Sequence, residues 1–438
     1  MNPLFVYPHV LLKQYGDSLI YKWTDYSMEY EGLNKTGAEI LELCDGETSV
    51  NQIAQVMSIR YSEEFHKAKI LVENFINACA SREYIITVPH TEDVFQRGRI
   101  FGEYDRVTPM AMTIELTRRC PLECKHCYNS AGSNLNDEMS FKEMAIVLDK
   151  LKELGVNKLF LTGGEPTARR DFLQILEKVS TEFTAAVIAT SGYFFKPKLA
   201  QEIKFYKNIA WQVSIDGMET MHNITRGKSD AFQRADYALK SIIAKGMPAI
   251  ISFTLNSLNK KDMEEVVLYG KNIGAVQVLI GRTVKLGRAV EHNLGLTPSE
   301  FEEINNEITK LKILHQTDKF FIGKTEEAVF AEKAKEQKNC GAGYIMANIL
   351  PNGDVTPCTS FNFKMGNLLY DPIESIFAST KAIAFKNLES PTHKLCGDCQ
   401  LYYECDGCHG LAYNLKVTEC RWKRNFKKIL ANEEQRIV

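Results

Sequence analysis

The sequence predicts an α/β protein with a parallel-sheet domain in the middle, a small α+β module before it and a cysteine-rich segment after it. Three observations lead there. From Pro109 to about Thr283, strand-like apolar runs alternate with amphipathic helical stretches, as in a parallel sheet with right-handed crossovers. Twelve cysteines fall as two isolated residues and two dense fields. The 438 residues, 45% of them apolar, suffice for two or three domains with real cores. A formal charge of −2 gives no field for nucleic acid or an anionic membrane surface. No apolar run reaches the roughly 20 residues of a membrane span. The opening MNPLFVYPHVLLK lacks the charged-then-apolar order of a secretory signal. With that cysteine count, this implies a reducing cytosol in which thiols serve metal or cluster ligation rather than disulfides.

Residues 1–90 read as the α+β module. The runs Phe5–Leu12 and Ser18–Trp23 are strand-like. Helices follow over Lys35–Cys44, then after the capping pair Ser49 and Gln52, then from Ser62 to about Ser81. Tyr84–Val88 returns as a strand. Cys44 shares a helical face with Ile40 and Leu41, and Cys79 with Leu71, Phe75 and Ile76, so both read as small buried hydrophobes. Ten cysteines remain for chemistry. Residues 91–109 are charged and aperiodic and read as a linker.

The central strands are Met110–Leu116, Lys158–Thr162, Ala185–Thr190, Ile209–Ile215, Ala249–Leu255 and Val276–Ile280. The first crossover helix is capped by Ser140 and Glu143 and presents Met144, Val147, Leu148, Leu151 and Leu154 on one face. Six such units over 110–296 make a partial (β/α)6 TIM barrel, although a doubly wound open sheet has the same pattern. Thr297-Pro298-Ser299-Glu300 opens a helical bridge over 297–337. The cysteine-rich segment occupies 338–438.

The chemistry centres on Thr117–Tyr128, TRRCPLECKHCY, directly after the first strand. Cys120, Cys124 and Cys127 lie three and then two residues apart, at a strand end where α/β folds keep their chemistry. Soft thiolates select zinc, copper(I) or iron–sulfur clusters. Three ligands leave a position open for a small molecule. The C-x3-C-x2-C spacing resembles that of the radical S-adenosylmethionine (SAM) enzymes. The resemblance implies a [4Fe-4S] cluster on these three cysteines, whose unique iron chelates SAM and drives its reductive cleavage to a 5′-deoxyadenosyl radical. A three-cysteine zinc loop is the alternative.

Further signals stand at the strand ends. Gly163-Gly164-Glu165-Pro166 follows the second strand, and its glycines let backbone amides approach a ligand that a Cβ would hold off. In the family this segment meets the SAM amino group. Ser191 ends the third strand, and Ser214 the fourth, which continues Ile215-Asp216-Gly217 to His222 and Arg226. The resemblance implies that polar groups here, Ser191, Ser214 and Arg226, contact the ribose and carboxylate of SAM, Arg226 because its fork pairs with a carboxylate in two places. A surface ion pair is the other reading of Arg226. Ser252 and Thr254 line the mouth. Gly281-Arg282 and Leu286-Gly287-Arg288-Ala289 resemble the family's loop beside the adenine, and Tyr128 shields the cluster or stacks near that base.

The second field holds Cys340, Cys358, Cys396, Cys399, Cys405, Cys408 and Cys420 among turn residues, so metals would largely order it. Cys340, Gly353, Cys358, then C-x2-C-x5-C-x2-C and Cys420 resemble the SPASM extension of radical SAM peptide maturases. One spacing departs from the usual pattern: Cys405 and Cys408 enclose two residues where the family has three. The variant is most similar to sactipeptide (subtilosin-type) thioether-forming maturases. By resemblance, Cys340, Cys358 and Cys408 hold a first auxiliary cluster, leaving one iron open. Cys396, Cys399, Cys405 and Cys420 close a second, both of the [4Fe-4S] kind. His409 or a carboxylate could supply the missing ligand, and the C-x2-C pairs are also zinc spacing.

LNKTGAEILELCDGETSVNQIAQ, in the first module, resembles the PqqD-like winged-helix domain that holds a precursor's leader peptide by strand addition. The resemblance as a whole implies a maturase of a ribosomally made peptide, forming a thioether from a cysteine sulfur to carbon. It also implies an electron donor such as flavodoxin or ferredoxin. A carbon–carbon cross-link is the rival outcome, and a zinc-containing winged-helix regulator the distant one. No general base is identifiable.

Overall fold

The computed structural model describes residues 2–23, 28–88, 95–132, 137–324, 339–405, 407–416 and 419–435. The chain divides into two units, 1–108 and 109–438.

The first unit carries β1 (Asn2–Phe5), β2 (Val10–Gln14), β3 (Asp17–Trp23), β4 (Met28–Leu33), α1 (Lys35–Leu43), α2 (Val50–Tyr61), α3 (Phe65–Ser81), β5 (Ile85–Val88) and β6 (Arg99–Phe101). Asn34 and Ser49 cap α1 and α2 with their side chains, the latter as a full capping box with Gln52. The run read as one strand, Phe5–Leu12, is two: β1 pairs with β5, and β2 joins a four-stranded sheet ordered β4-β3-β2-β6. Residues 99–101, read as linker, pair in parallel with β2 and so belong to the module. Residues 91–94 of that linker lie outside the described residues. Cys44 and Cys79 sit in the core with Ile53, Val72 and Ile76, as small hydrophobes.

The second unit is organised by one ten-stranded sheet ordered β13-β12-β11-β10-β9-β8-β7-β14-β15-β16. Its central strands are β7 (Ala111–Glu115), β8 (Lys158–Thr162), β9 (Ala185–Thr190), β10 (Ile209–Ser214), β11 (Ala249–Leu255) and β12 (Gln277–Arg282). They lie side by side in chain order and all parallel. A doubly wound sheet reverses its strand order at a switch point. This one does not, so the architecture is the partial barrel. The crossovers carry α4 (Phe141–Leu154), α5 (Phe172–Glu182), α6 (Pro197–Glu202), α7 (Glu219–Arg226), α8 (Ala231–Ala244) and α9 (Met263–Ile273). Then come α10 (Arg288–Glu291) and α11 (Pro298–His315). Leu159, Leu161, Ile188, Trp211, Val213, Ile251, Phe253 and Val278 are buried on the helix side. Thr113, Thr162, Gln212, Ser214, Ser252 and Thr254 alternate with them on the half-buried inner face.

Two additions were not legible as strands. Within the bridge, β13 (Phe321–Lys324) extends the sheet beside β12, while residues 325–337 lie outside the described residues. From the cysteine-rich segment, β14 (Met346–Ile349) pairs in parallel with β7, followed by antiparallel β15 (Asp354–Thr356) and β16 (Gly366–Asn367). That segment also has an aromatic core of its own. Phe361, Phe385 and Trp422 are fully buried, and Phe361 meets Tyr413, Trp422 and Phe426 with ring centroids 4.7–6.0 Å apart. Apolar packing therefore shares with any metal the work of ordering it. Trp422 turns the basic run at 421–424 into an amphipathic helix face, and Arg421 pairs with Asp398.

Candidate metal and cofactor centre

The cysteine loop leaves the C-terminal end of β7 and is held from several sides. Gly164 N donates to Thr117 O at 2.6 Å and Glu165 N to Arg119 O at 2.8 Å. A Cβ on Gly163, whose φ is +134°, would overlap Thr117 O, and one on Gly164 would overlap Arg119 O. The glycines thus admit the cysteine loop's own backbone, and the Gly164 and Glu165 amides are spent on it. Those two N–H groups are therefore not available to a ligand, whereas the expected contact with an amino group, itself a donor, would call on carbonyl oxygens.

Glu165 is fully buried, and its carboxylate is saturated from within. Oε1 accepts from Thr167 N and Oγ1 and from Thr190 Oγ1; Oε2 accepts from Ser191 N and Ser191 Oγ. The structure therefore unites two expected cofactor residues, Glu165 and Ser191, as a tie between the ends of β8 and β9. Arg169, unnoticed in the sequence, fixes the loop's root through Leu116 O at 2.8 Å and Met139 O at 2.9 Å.

On the other side, α7 brackets Cys124. Glu123 N donates to Arg226 O and Lys125 N to Thr225 O, at 3.3 and 3.0 Å. Arg226 is neither free for a ligand carboxylate nor at the surface. Its buried Nε lies 2.6 Å from Asp216 Oδ2, and its Nη1 lies 3.7 Å from Cys124 Sγ. Burial disfavours its charge, yet Asp216 and Cys124 hold its pKa above the usual guanidinium value. Burial works against the Asp216 carboxylate too, and Arg226 with His126 keeps it low. Burial pulls His126 down to about 4 and His222 to about 3. The half-exposed guanidinium on this rim is Arg234, which lies over Tyr193 at 4.3 Å and pairs with Asp230.

Arg288 closes the third side: its N donates to Cys127 O, its Nε to Cys124 O and its Nη1 to Ala131 O, at 2.8–3.0 Å. Gly287 has no room for a Cβ beside Cys127 O and Tyr128 O. The segment expected beside adenine thus clamps the cysteine loop. Tyr128 is half-buried, and Ser214 faces Ser252 across β10 and β11 on the inner face.

Burial pushes the Cys120 thiol up to about 12 and raises that of Cys124, and neighbouring thiols in the loop add to both. Mutually repelling soft donors, with a guanidinium against one sulfur, fit a group that binds thiolates and brings its own positive charge. Among the described residues, no three His, Cys, Asp or Glu side chains are gathered for a single ion. A cubane cluster, by contrast, spreads its ligands over separate irons.

Burial drives Cys340 up to about 12 and Cys358 well above the thiol range, with Cys408 adding to both. Burial likewise raises Cys396, beside Cys420 and Cys399, and pushes Cys405 up to about 11, with Cys396, Cys408 and Cys399 adding to it. His409 is fully buried and stacked on Trp422, with Nδ1 3.4 Å from Cys340 Sγ. Nδ1 is thus at hydrogen-bonding distance from the Cys340 sulfur, and the buried Nε2 has no hydrogen-bond partner among the described residues. Glu115, unnoticed in its apolar run, connects loop and tail. Its Oε2 pairs with Arg118 Nε at 2.8 Å and its Oε1 accepts from Asn348 Nδ2, which also reaches Thr356 Oγ1. Thr356 Oγ1 in turn donates to Cys358 O.

Comparison with known proteins gives the family. Profiles match for the radical SAM superfamily over residues 114–269, an iron–sulfur cluster-binding (SPASM) domain over 340–400, and coenzyme PQQ synthesis protein D (PqqD) over 25–85. The chain is 27% identical to the sporulation killing factor maturation protein SkfB of Bacillus subtilis, covering 86% of this chain and 89% of SkfB. It is 25% identical to the subtilosin biosynthesis protein AlbA of the same organism, over 91% and 89%. Its fold is similar to that of Streptococcus suis SuiB bound to S-adenosylmethionine, with TM-score 0.67, 15% identity and coverage of 94% and 97%. A zinc-containing regulator finds no support among these likenesses. The chain is a radical SAM enzyme that carries a PqqD domain ahead of its partial barrel and a SPASM iron–sulfur domain behind it.

Proposed function

We propose that this enzyme matures a ribosomally made precursor peptide by joining a cysteine sulfur of that peptide to one of its carbons. The observation that carries the reading is the single sheet that bears both thiol groups. The Cys120–Cys127 loop leaves β7, and β14 and β15, which lie between Cys340 and Cys358, continue the same sheet from β7's other edge. Likeness to SkfB, a maturation protein, and to AlbA, a bacteriocin biosynthesis protein, supports a peptide as substrate. The PqqD match supports the first unit as the holder of a leader peptide, and SuiB has been solved with its precursor SuiA. Among the described residues β4 is an edge strand of its sheet, the kind of position at which strand addition occurs.

Cys120, Cys124 and Cys127 would hold the cluster that binds SAM. Cys340, Cys358 and Cys408 would hold one auxiliary cluster, and Cys396, Cys399, Cys405 and Cys420 the other. With SAM bound, the first cluster supplies the electron that releases a 5′-deoxyadenosyl radical. The chain's own residues position and enclose. Gly163–Glu165, Arg169, Thr225 and Arg288 fix the loop, and Ser214, Ser252, Thr254 and Gln212 line the inner face where substrate and SAM would meet. Ser214, Tyr128 and Arg234 would be the groups that touch SAM in this reading. Forming the thioether removes two hydrogens from the peptide, one as an atom to the deoxyadenosyl radical and one as a thiol proton. The remaining electron needs an acceptor, and the Cys340–Cys358–Cys408 group supplies a site for one. A reducing protein such as flavodoxin or ferredoxin would deliver electrons at the start. No disulfide joins any of the twelve cysteines, which leaves the ten assigned here available as ligands. Among the described residues no helix is long and apolar enough to cross a membrane.

The test is anaerobic incubation of the reconstituted enzyme with SAM, reductant and a candidate precursor, followed by accurate mass and thiol alkylation. Loss of two hydrogens per cross-link with thiols that no longer alkylate is expected. The same loss with free thiols would replace the thioether by a carbon–carbon bond.

A further inference from the structure

Arg226 occupies a place the catalytic reading does not use. It is the last residue of α7, and Gly227, at φ +74°, turns the chain away. The guanidinium is 7% exposed and sits between a fully buried carboxylate and a cysteine sulfur. Asp216 does not float: Thr254 N donates to its Oδ1 at 2.9 Å, Asn259 Nδ2 takes its carbonyl at 3.1 Å, and its own N donates to His222 Nδ1 at 3.0 Å. His126 Nε2 stands 3.5 Å from the same carboxylate oxygen as Arg226 Nε. Two backbone bonds from the α7 terminus to Glu123 and Lys125 fix the distance between helix and thiol. Arg226 Nη1 is therefore aimed at Cys124 Sγ by a rigid surround, at 3.7 Å.

A buried ion pair costs desolvation that its own attraction scarcely repays. Neutral apolar residues could have filled this space, so the pair has to be explained by what it faces. Hydrogen bonds to ligand sulfurs are among the determinants of iron–sulfur reduction potentials. The reduced cluster is one electron more negative than the oxidised one, so a donor on the sulfur stabilises it more. We propose that the Asp216–Arg226 pair is a positioning element that raises the reduction potential of the cluster on Cys120, Cys124 and Cys127, through the Arg226 Nη1–H···Sγ bond to Cys124. The inference rests on the reading of those three cysteines as cluster ligands. Asp216 holds the guanidinium in place and cancels its net charge, so the hydrogen bond acts without a large unbalanced field.

The consequence is an opposed pair of shifts. Removing the arginine alone deletes the donor and leaves a buried negative charge, and both effects disfavour reduction. Neutralising the aspartate alone leaves a buried positive charge near the cluster, which favours it. The experiment is an EPR-monitored potentiometric titration of the full reconstituted chain, following the signal that changes on adding SAM. The auxiliary signals serve as internal controls.

Arg226→Met is expected to lower the reduction equilibrium of the SAM-responsive cluster at least tenfold, about 59 mV for one electron. Arg226→Lys is expected to restore most of that loss, and Asp216→Asn to shift the potential upward. In all three the auxiliary potentials should hold. An unmoved SAM-responsive potential in Arg226→Met, or shifts of the same sign in Arg226→Met and Asp216→Asn, would overturn the proposal. If Arg226→Met fails to assemble the cluster, an upward shift in Asp216→Asn supports the proposal and an unmoved potential there overturns it. Loss of the SAM-responsive cluster from all three variants, with the auxiliary signals intact, would reduce the pair to a structural clamp and overturn it too. Absence of any SAM-responsive signal in the unmodified chain would instead overturn the reading of Cys120, Cys124 and Cys127.

Discussion

Glu165→Gln separates two roles that the sequence alone confounds. If Glu165 served chiefly to meet SAM, an amide of the same shape would weaken SAM binding and leave the folded chain as stable as before. The structure makes the carboxylate an internal tie instead. Each oxygen accepts one backbone N–H, Thr167 N on Oε1 and Ser191 N on Oε2, besides the three hydroxyl contacts. A glutamine has one oxygen and one NH2. Whichever way it is turned, one of those backbone amides faces a donor, and backbone, unlike a hydroxyl, cannot rotate away. Leaving one buried donor unsatisfied costs about 1–3 kcal/mol, more where the lost bond was to a charge. The assay is urea unfolding without SAM, read by tryptophan fluorescence; Trp211, fully buried on β10, reports on this sheet. A fall in midpoint of roughly 0.5–1 M is expected, at slopes of a few kcal/mol per molar. Ser191→Ala, which removes only a hydroxyl, should cost less. An unchanged midpoint in Glu165→Gln with weakened SAM binding would refute the internal-tie account.

Gly164→Ala drives a methyl into Arg119 O and must displace the cysteine loop. A misplacement of about 1 Å can cost 10²-fold in rate, so SAM cleavage should fall by about that factor, with less iron retained at Cys120, Cys124 and Cys127; near-normal cleavage would refute the close-packing argument. Asn348→Leu cuts the connection from Glu115 to Thr356 and leaves a buried carboxylate short of a donor. A destabilisation of about 1–3 kcal/mol is expected by the same unfolding assay, with altered EPR of the cluster nearest Cys358. His222 is held neutral in the fold, chiefly by burial, with its pKa near 3. Below its ordinary value of about 6.5 the unfolded chain takes up a proton that the folded chain refuses, so stability falls as pH falls through that window, by up to about 1.4 kcal/mol per pH unit. His222→Asn should flatten the midpoint-against-pH curve between pH 6.5 and 5, and an identical slope would count against the assignment.

The central strands were legible because most of their residues are apolar and buried. Lys158–Thr162, Ala185–Thr190 and Ala249–Leu255 stand in the structure at the bounds read from the sequence. The short strands were not. Met28–Leu33 reads as alternating charge and aromatic, Arg99–Phe101 is three residues long, and Phe321–Lys324 and Met346–Ile349 gain their identity from pairing with β12 and β7. Such strands are set by tertiary partners that local propensity cannot name. The site divides in the same way. The spacing of Cys120, Cys124 and Cys127 carried the chemistry. What stayed hidden was which partner each strand-end group would take. Gly163 and Gly164 admit the backbone of the cysteine loop, Glu165 is satisfied by Thr190 and Ser191, and Arg226 turns inward to Asp216. A polar residue at a strand end is visible in a sequence, but its partner lies on another strand. Glu115 gave a signal that could have been used, being a carboxylate inside an apolar run.

The central claim is that a radical made at the Cys120–Cys127 loop takes a hydrogen atom from a carbon of a precursor peptide. It is tested most directly with a peptide deuterated at the carbon that becomes cross-linked, by weighing the 5′-deoxyadenosine formed in a single turnover. Deoxyadenosine heavier by one mass unit, matched by a peptide that has lost that deuterium and its thiol hydrogen, is the expected result. Cross-linked peptide beside deoxyadenosine without deuterium would contradict the account.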